Sequence, residues 1–189
     1  MFTSLFLRLL NREASSPRNR PAEIIQSLKI REGFKVADIG SGGGFFTLEF
    51  AKLVGGRGQV YAVDSNEKNL DFVRQGAEKA GLDHIVFIHA RGGELSLPEN
   101  SLDLSFLRNV YHHLPEPGRY FRDLKRFLKS DGKVAIIEHK KKTGFSFVAL
   151  LKHYTPTQVI IKEMEEAGYF LVESLDFLPE QTFNVFGLK

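Results

Sequence analysis

Hydrophobic positions along this chain follow two periods in alternation. Residues 35–39, 59–63, 85–88, 102–107 and 134–137 are short apolar runs of the kind that form strands buried on both faces. Between them, residues 45–53, 66–80 and 120–128 carry apolar side chains at helical spacing; Leu70, Val73 and Ala77 share one side of the second helix, and Gly81 closes it. A helix over residues 21–28 opens with Pro21 and presents Ile24, Ile25 and Leu28 before the first strand. Ser130, Asp131 and Gly132 read as a turn. After the fifth strand the spacing predicts a helix over 157–167. Strands at 169–177 and 182–188 follow, with Pro179 in the loop between them and no helix there. Two strands so closely joined must run antiparallel, whereas the earlier strand–helix alternation implies a parallel sheet with helices on both faces.

The N-terminal end is different in character. Phe2, Leu5, Phe6 and Leu9 recur at the spacing of one helix face, interrupted by Arg8. That face is expected to pack on the domain or a partner, or to make a weak contact with a membrane surface. The run is shorter than the roughly 20 apolar residues of a membrane span, and it lacks the order of a secretion signal, so a cytoplasmic protein is expected. Residues 11–20 are polar, contain Pro17 and read as a linker. The division is therefore an N-terminal helix and linker at 1–20 and one α/β domain at 21–189.

Composition narrows the chemistry. The 189 residues include no cysteine, which removes disulfides, thiolate nucleophiles and cysteine-held metals. The six histidines show no metal-binding spacing, so no metal site is expected. A net charge of +3, from 26 basic and 23 acidic residues, gives no strong nucleic-acid signal.

The motif that carries chemistry runs from Asp38 to Gly44, as D-I-G-S-G-G-G, directly after the first strand and directly before a helix. Glycines there let the chain turn tightly and bring its backbone against a ligand, with the amide-rich helix start pointing into the same crevice. Asp64 closes the second strand, where an acid can accept from both ribose hydroxyls; the alternative is a helix cap formed with Ser65 and Asn66. The dinucleotide fingerprint needs a third glycine where this chain has Phe45, and no G-K-[ST] follows for a phosphate-binding P-loop.

This ordered set resembles class I S-adenosylmethionine-dependent methyltransferases, over about residues 20–189. D-I-G-S-G-G-G is similar to their first motif, and V-Y-A-V-D64 to their next. L-P-E-N-S-L-D103 resembles the approach to their fourth strand, N-V-Y-H-H-L114 the loop after it, and the run from Phe121 to Lys133 the segment before their fifth strand. The nearest look is to the small-molecule branch that includes ubiquinone- and menaquinone-biosynthesis enzymes.

The resemblance implies a Rossmann-like three-layer sandwich with a mostly parallel seven-stranded sheet in the order 3-2-1-4-5-7-6, strand 7 antiparallel. It also implies S-adenosylmethionine as cofactor. Asp38, Gly40, Ser41, Gly42 and Gly44 would hold the methionine portion, and Asp64 the ribose. Ser65 and Asn66 would flank the adenine, while Asn109 and Val110 would line the floor near the sulfonium. Where the family commonly has an acid contacting the adenine, this chain has Arg91. It would stack on the base, or point to solvent while the Gly92 amide reads it.

Methyl transfer needs acceptor, methyl carbon and sulfur held in line, and a weakly nucleophilic acceptor also needs a base. His112 and His113 are the candidates, with a weaker claim for Tyr111; the alternative is a structural role for each. His153 and Tyr154 are placed to lie across an acceptor pocket. Lys140, Lys141 and Lys142 read as a solvated loop. A small apolar or aromatic acceptor suits the 17 phenylalanines, Phe145 and Phe147 among them. The alternatives are a nucleic-acid or protein methyltransferase, although the N-P-P-Y motif of amino-group DNA methylation is absent, and a non-catalytic binding protein.

Overall fold

A computed structural model describes residues 2–91, 94–140 and 154–189. The helices are α1 (Phe2–Ala14), α2 (Pro21–Ser27), α3 (Phe45–Val54), α4 (Glu67–Ala80), α5 (Pro117–Leu124) and α6 (Thr157–Glu166). The strands are β1 (Lys35–Ile39), β2 (Gln59–Asp64), β3 (Ile85–His89), β4 (Leu102–Arg108), β5 (Leu128–His139), β6 (Tyr169–Leu175) and β7 (Gln181–Leu188). They form one seven-stranded sheet in the order β3-β2-β1-β4-β5-β7-β6. The pairings from β3 through β5 are parallel, and β7 runs antiparallel to both β5 and β6. This is the Rossmann-like sheet that the motif order implies.

Successive residues of the central strands feed opposite cores. In β5, Val134 and Ile136 join a cluster with Phe121, Leu124, Ile160 and Met164 under α5 and α6. Ala135 and Ile137 join Phe46, Phe50, Ala51 and Ile24 under α2 and α3. Period-two alternation with both faces covered is what makes these strands read as continuous apolar runs. At the carboxyl end of the sheet the strand order reverses between β1 and β4, the place where open α/β sheets hold their ligands.

Local chemistry sets the helix ends that frame this place. Asn66 caps α4 by accepting from the Lys68 amide at 3.1 Å, and Gly81 ends that helix in the left-handed region. The start of α3 has no side-chain cap of its own. Asn11 of α1 supplies it, accepting from the Phe45 amide at 3.2 Å.

Four sequence expectations are revised. Residues 11–20 are not a plain linker: α1 continues through Ala14, and a 3-10 turn covers Pro17–Asn19. The fifth helix begins at Pro117, not at residue 120, because proline suits the first helical position, and it ends at Leu124, before β5 starts at Leu128. Residues 130–132 are not a turn ahead of the fifth strand but lie within β5, where they bulge from the sheet. Leu102 faces Leu128 while Leu104 faces Lys133, so two steps on β4 oppose five on β5. The face of α1 that meets the domain also differs from the one the periodicity selected. Leu7 and Ala14 are buried there, whereas Leu5, Phe6 and Leu9 are exposed.

Candidate active site

The loop between β1 and α3 folds back over β2: the Gly40 and Ser41 amides donate to the Val63 carbonyl at 2.8 and 3.1 Å. Gly40 holds φ at 74°, and a Cβ there would lie 2.2 Å from Cγ2 of Val110. The loop after β4 is therefore packed directly on the glycine loop, with room for hydrogen only. At Gly42 the fit is looser, since a Cβ there would be in ordinary contact, 3.7 Å from Cδ1 of Leu10.

Two carboxylates lie beneath the loop. Asp64 accepts from the Gly42 amide at 2.9 Å through one oxygen. Its other oxygen accepts from the Asn66 amide at 2.9 Å and the Asn69 side chain at 3.2 Å. Asp64 is thus buried and fixed, with about one of its four lone-pair directions left for a ligand. Asp38 is buried under the start of α3, where the Thr47 hydroxyl donates to it at 2.5 Å. Burial raises its carboxyl to about 7; the Thr47 hydrogen bond opposes that shift, and the nearby Asp64 charge adds to it. Between them the Ser41 hydroxyl is buried with no hydrogen-bond partner among the described residues.

At the edge of this crevice Ser65 is exposed, and its carbonyl lies 2.9 Å from Nε2 of His89. Arg91 is exposed and its Nε donates to Nδ1 of the same histidine at 3.4 Å. The two residues share a cavity of about 390 Å³ with Leu95, Leu97 and Phe127. His89 was not singled out from sequence; ending β3 beside Asp64 is the signal that would have found it. Gly92 lies outside the described residues, as do Lys141, Lys142, Phe145, Phe147 and His153.

The loop after β4 is held from three sides. The Asn109 amide donates to the Ile137 carbonyl at 2.8 Å, and Gln181 of β7 donates to the Asn109 side chain at 2.6 Å. Arg108 reaches Gln181 at 3.3 Å and forks onto both oxygens of Glu13 in α1 at 3.0 and 3.2 Å. Tyr111 turns away from the crevice. It stacks on Phe121, and its hydroxyl donates to Glu163 of α6 at 2.5 Å. Burial pushes its phenol far up, so Tyr111 is a core residue and not a base.

His112 is differently placed. Its Nδ1 lies 2.9 Å from Oε2 of Glu138, a fully buried carboxylate at the end of β5. Glu138 also accepts from the backbone amides of His112 and His139 at 3.3 and 2.8 Å. A carboxylate oxygen accepts, so in this contact the Nδ1 position carries the hydrogen. His113 is exposed, its ring 4.1 Å from that of His112. Tyr154 is half-buried. Glu138 was missed from sequence; a lone acid ending an otherwise apolar central strand is its only mark. Among the described residues no group of three or more histidines or carboxylates could hold a metal ion.

The profile of one family, described as "Methyltransferase domain", matches residues 37–136, more than half of the chain. This chain belongs to the methyltransferase-domain family. Motif order and sheet order make it a class I S-adenosylmethionine-dependent member. A ubiquinone/menaquinone biosynthesis C-methyltransferase from Shewanella sediminis is 28% identical over 167 residues, covering 83% of this chain. A demethylmenaquinone methyltransferase from Geobacillus stearothermophilus is 26% identical over 132 residues, covering 70%. The chain spans only 65% and 56% of the length of these two curated relatives. In fold it is similar to an S-adenosylmethionine-dependent methyltransferase from Aquifex aeolicus, at a TM-score of 0.87, 23% identity and 97% coverage of both chains.

The family's cofactor is S-adenosylmethionine, and this methyltransferase domain has the fittings for it. The Ser41 hydroxyl is buried without a partner among the described residues, and a cation beside the buried Asp38 carboxyl would favour its ionised form.

Proposed function

We propose that this chain transfers a methyl group from S-adenosylmethionine to a small apolar or aromatic acceptor of the hydroquinone type. The observation that carries the reading is a cradle at the glycine loop, formed by two buried carboxylates and a buried serine hydroxyl without a partner among the described residues. Asp38, Gly40, Ser41, Gly42 and Gly44 receive the methionine portion of the cofactor. Asp64 takes the ribose, Ser65 and Asn66 flank the adenine, and Asn109 and Val110 form the floor. Arg91 lies beside His89 at the outer edge, where it stacks on the base or faces solvent.

The bound cofactor supplies an activated methyl group, which needs no metal. The chain's own residues orient and deprotonate. A ring carbon of the acceptor would form the new bond as the methyl leaves S-adenosylhomocysteine behind, and the acceptor's hydroxyl proton would pass to Nε2 of His112. Loss of the ring hydrogen from the methylated carbon, with return of a proton to the oxygen, would restore the aromatic ring. Glu138 keeps Nε2 of His112 in the accepting tautomer and stabilises the imidazolium that results. His113, beside it on the exposed edge, is the second candidate for the proton. The quinone-type acceptor is supported by what the names of the two curated relatives state of those proteins.

The test is transfer of labelled methyl from S-adenosylmethionine to reduced benzoquinols and naphthoquinols. Label in the ring carbon supports the reading; label only in protein or nucleic acid would replace it.

A further inference from the structure

We propose that the outer face of α1 docks on an anionic phospholipid bilayer. The helix has two apolar faces, and only one has a partner among the described residues. Leu7 and Ala14 are buried against the domain, and Asn11 is hydrogen-bonded to it. On the opposite side Leu5, Phe6 and Leu9 stand 59%, 59% and 52% exposed, a turn apart on one arc. Large apolar side chains gathered on an exposed helix face mark an interaction surface.

Charge decides what kind of partner covers it. Arg8 and Arg12 are exposed on the same arc, and Arg18 follows in the next turn of chain. The acid on this face, Glu13, is taken up by the forked ion pair with Arg108. The face thus presents leucine and phenylalanine flanked by arginines that form no ion pair among the described residues, the composition of a helix that lies in a bilayer interface and meets anionic headgroups. A second copy of this chain fits less well, because self-pairing would set arginines against arginines.

The position of α1 gives the docking a use. Asn11 touches the glycine loop and Glu13 the carboxyl end of β4, so a docked α1 brings the crevice to the membrane surface. An apolar acceptor dissolved in lipid then reaches the site without crossing water. That use rests on the proposed acceptor class; the docking itself does not.

The experiment is flotation of the full chain with vesicles of phosphatidylcholine alone or mixed with phosphatidylglycerol, with no acceptor present. The wild type is expected to float with the anionic vesicles and to be released by high salt. Each arginine near an anionic surface contributes about fivefold to partitioning, so Arg8→Gln with Arg12→Gln should weaken binding about twenty-five-fold. Leu5→Ser, Phe6→Ser and Leu9→Ser together should lower it at least about tenfold. Both variants should keep the wild-type melting temperature and affinity for S-adenosylhomocysteine, since none of these side chains enters the core or the cradle. Equal flotation of wild type and variants overturns the proposal, as does no flotation at all. A concentration-dependent dimer abolished by the serine variant would give this face to a second copy instead. Failure here with intact cofactor binding and methyl transfer leaves the proposed reaction standing; the reverse outcome leaves the docking surface standing.

Discussion

Asn11 of the first helix and Gly43 of the glycine loop, 32 residues apart in sequence, are joined by a hydrogen bond of 2.6 Å from the Asn11 amide nitrogen to the Gly43 carbonyl. The same side chain accepts from the Phe45 amide at 3.2 Å, so one residue outside the sheet fixes both the loop and the start of α3. A Cβ on Gly43 would lie 2.3 Å from the Asn11 oxygen, which shows how closely α1 is seated.

Asn11→Ala removes this hold. The expected result is a loss of about 1 kcal/mol in stability, the usual worth of a helix cap, and a weakening of S-adenosylhomocysteine binding by about tenfold or more. Asn11→Asp keeps the acceptor for Phe45 but loses the donor to Gly43, and should recover the stability more than the affinity. Calorimetry of unfolding and of binding separates the two effects.

Asp38 makes the domain pH-sensitive. Its carboxyl is raised to about 7 by burial, above the value of about 3.9 that it has in an unfolded chain. The folded state therefore favours the protonated acid. Its contribution to the stability of the ligand-free protein is complete below pH about 4 and is lost as the pH climbs through about 7. Asp38→Asn should remove that part of the pH dependence, leaving the ligand-free variant more stable than wild type at pH about 8. A cationic group bound beside Asp38 favours the carboxylate, so wild-type affinity for S-adenosylhomocysteine should rise from pH about 6 to about 8, and the asparagine variant should lose that slope. Thermal unfolding and titration across the range check both.

The pair His112–Glu138 predicts a split between binding and rate. His112→Gln should lower kcat by about a hundredfold or more, the usual share of a general base, while KM and cofactor affinity change less than about twofold. Glu138→Gln should lower kcat by about tenfold. In nitrogen-15 NMR the wild type is expected to show one His112 tautomer, with hydrogen on Nδ1, and Glu138→Gln a mixture. A wild-type tautomer and rate in Glu138→Gln would contradict the role given to that carboxylate.

The sheet was legible because Val36, Val60, Leu104 and Ile136 belong to strands covered on both faces, and burial on both sides leaves an apolar run in any sequence that folds this way. The glycine loop was legible for a related reason. A Cβ on Gly40 would lie only 2.2 Å from Val110, so steric need wrote itself into the sequence. What was not legible depends on contacts between distant segments. Periodicity shows that α1 has apolar faces but not which one meets the domain, and the choice fell on Leu7 and Ala14. Asn11, Glu138 and His89 act through partners 34, 26 and 24 residues away, and none carries a local spacing that marks it. Tyr111 and His112 are neighbours in sequence, yet the 3-10 turn at Tyr111–His113 sends one ring into the core and the other onto Glu138.

The central claim is that the cradle between Asp38 and Asp64 holds S-adenosylmethionine, and isothermal titration with S-adenosylmethionine and S-adenosylhomocysteine tests it most directly. The account predicts micromolar binding of both, at least about tenfold weaker in Asp64→Ala, which removes the acceptor for the ribose and the partner of the Gly42 amide, and no heat with NAD. Absence of binding in the wild type, or undiminished binding in Asp64→Ala, would contradict it.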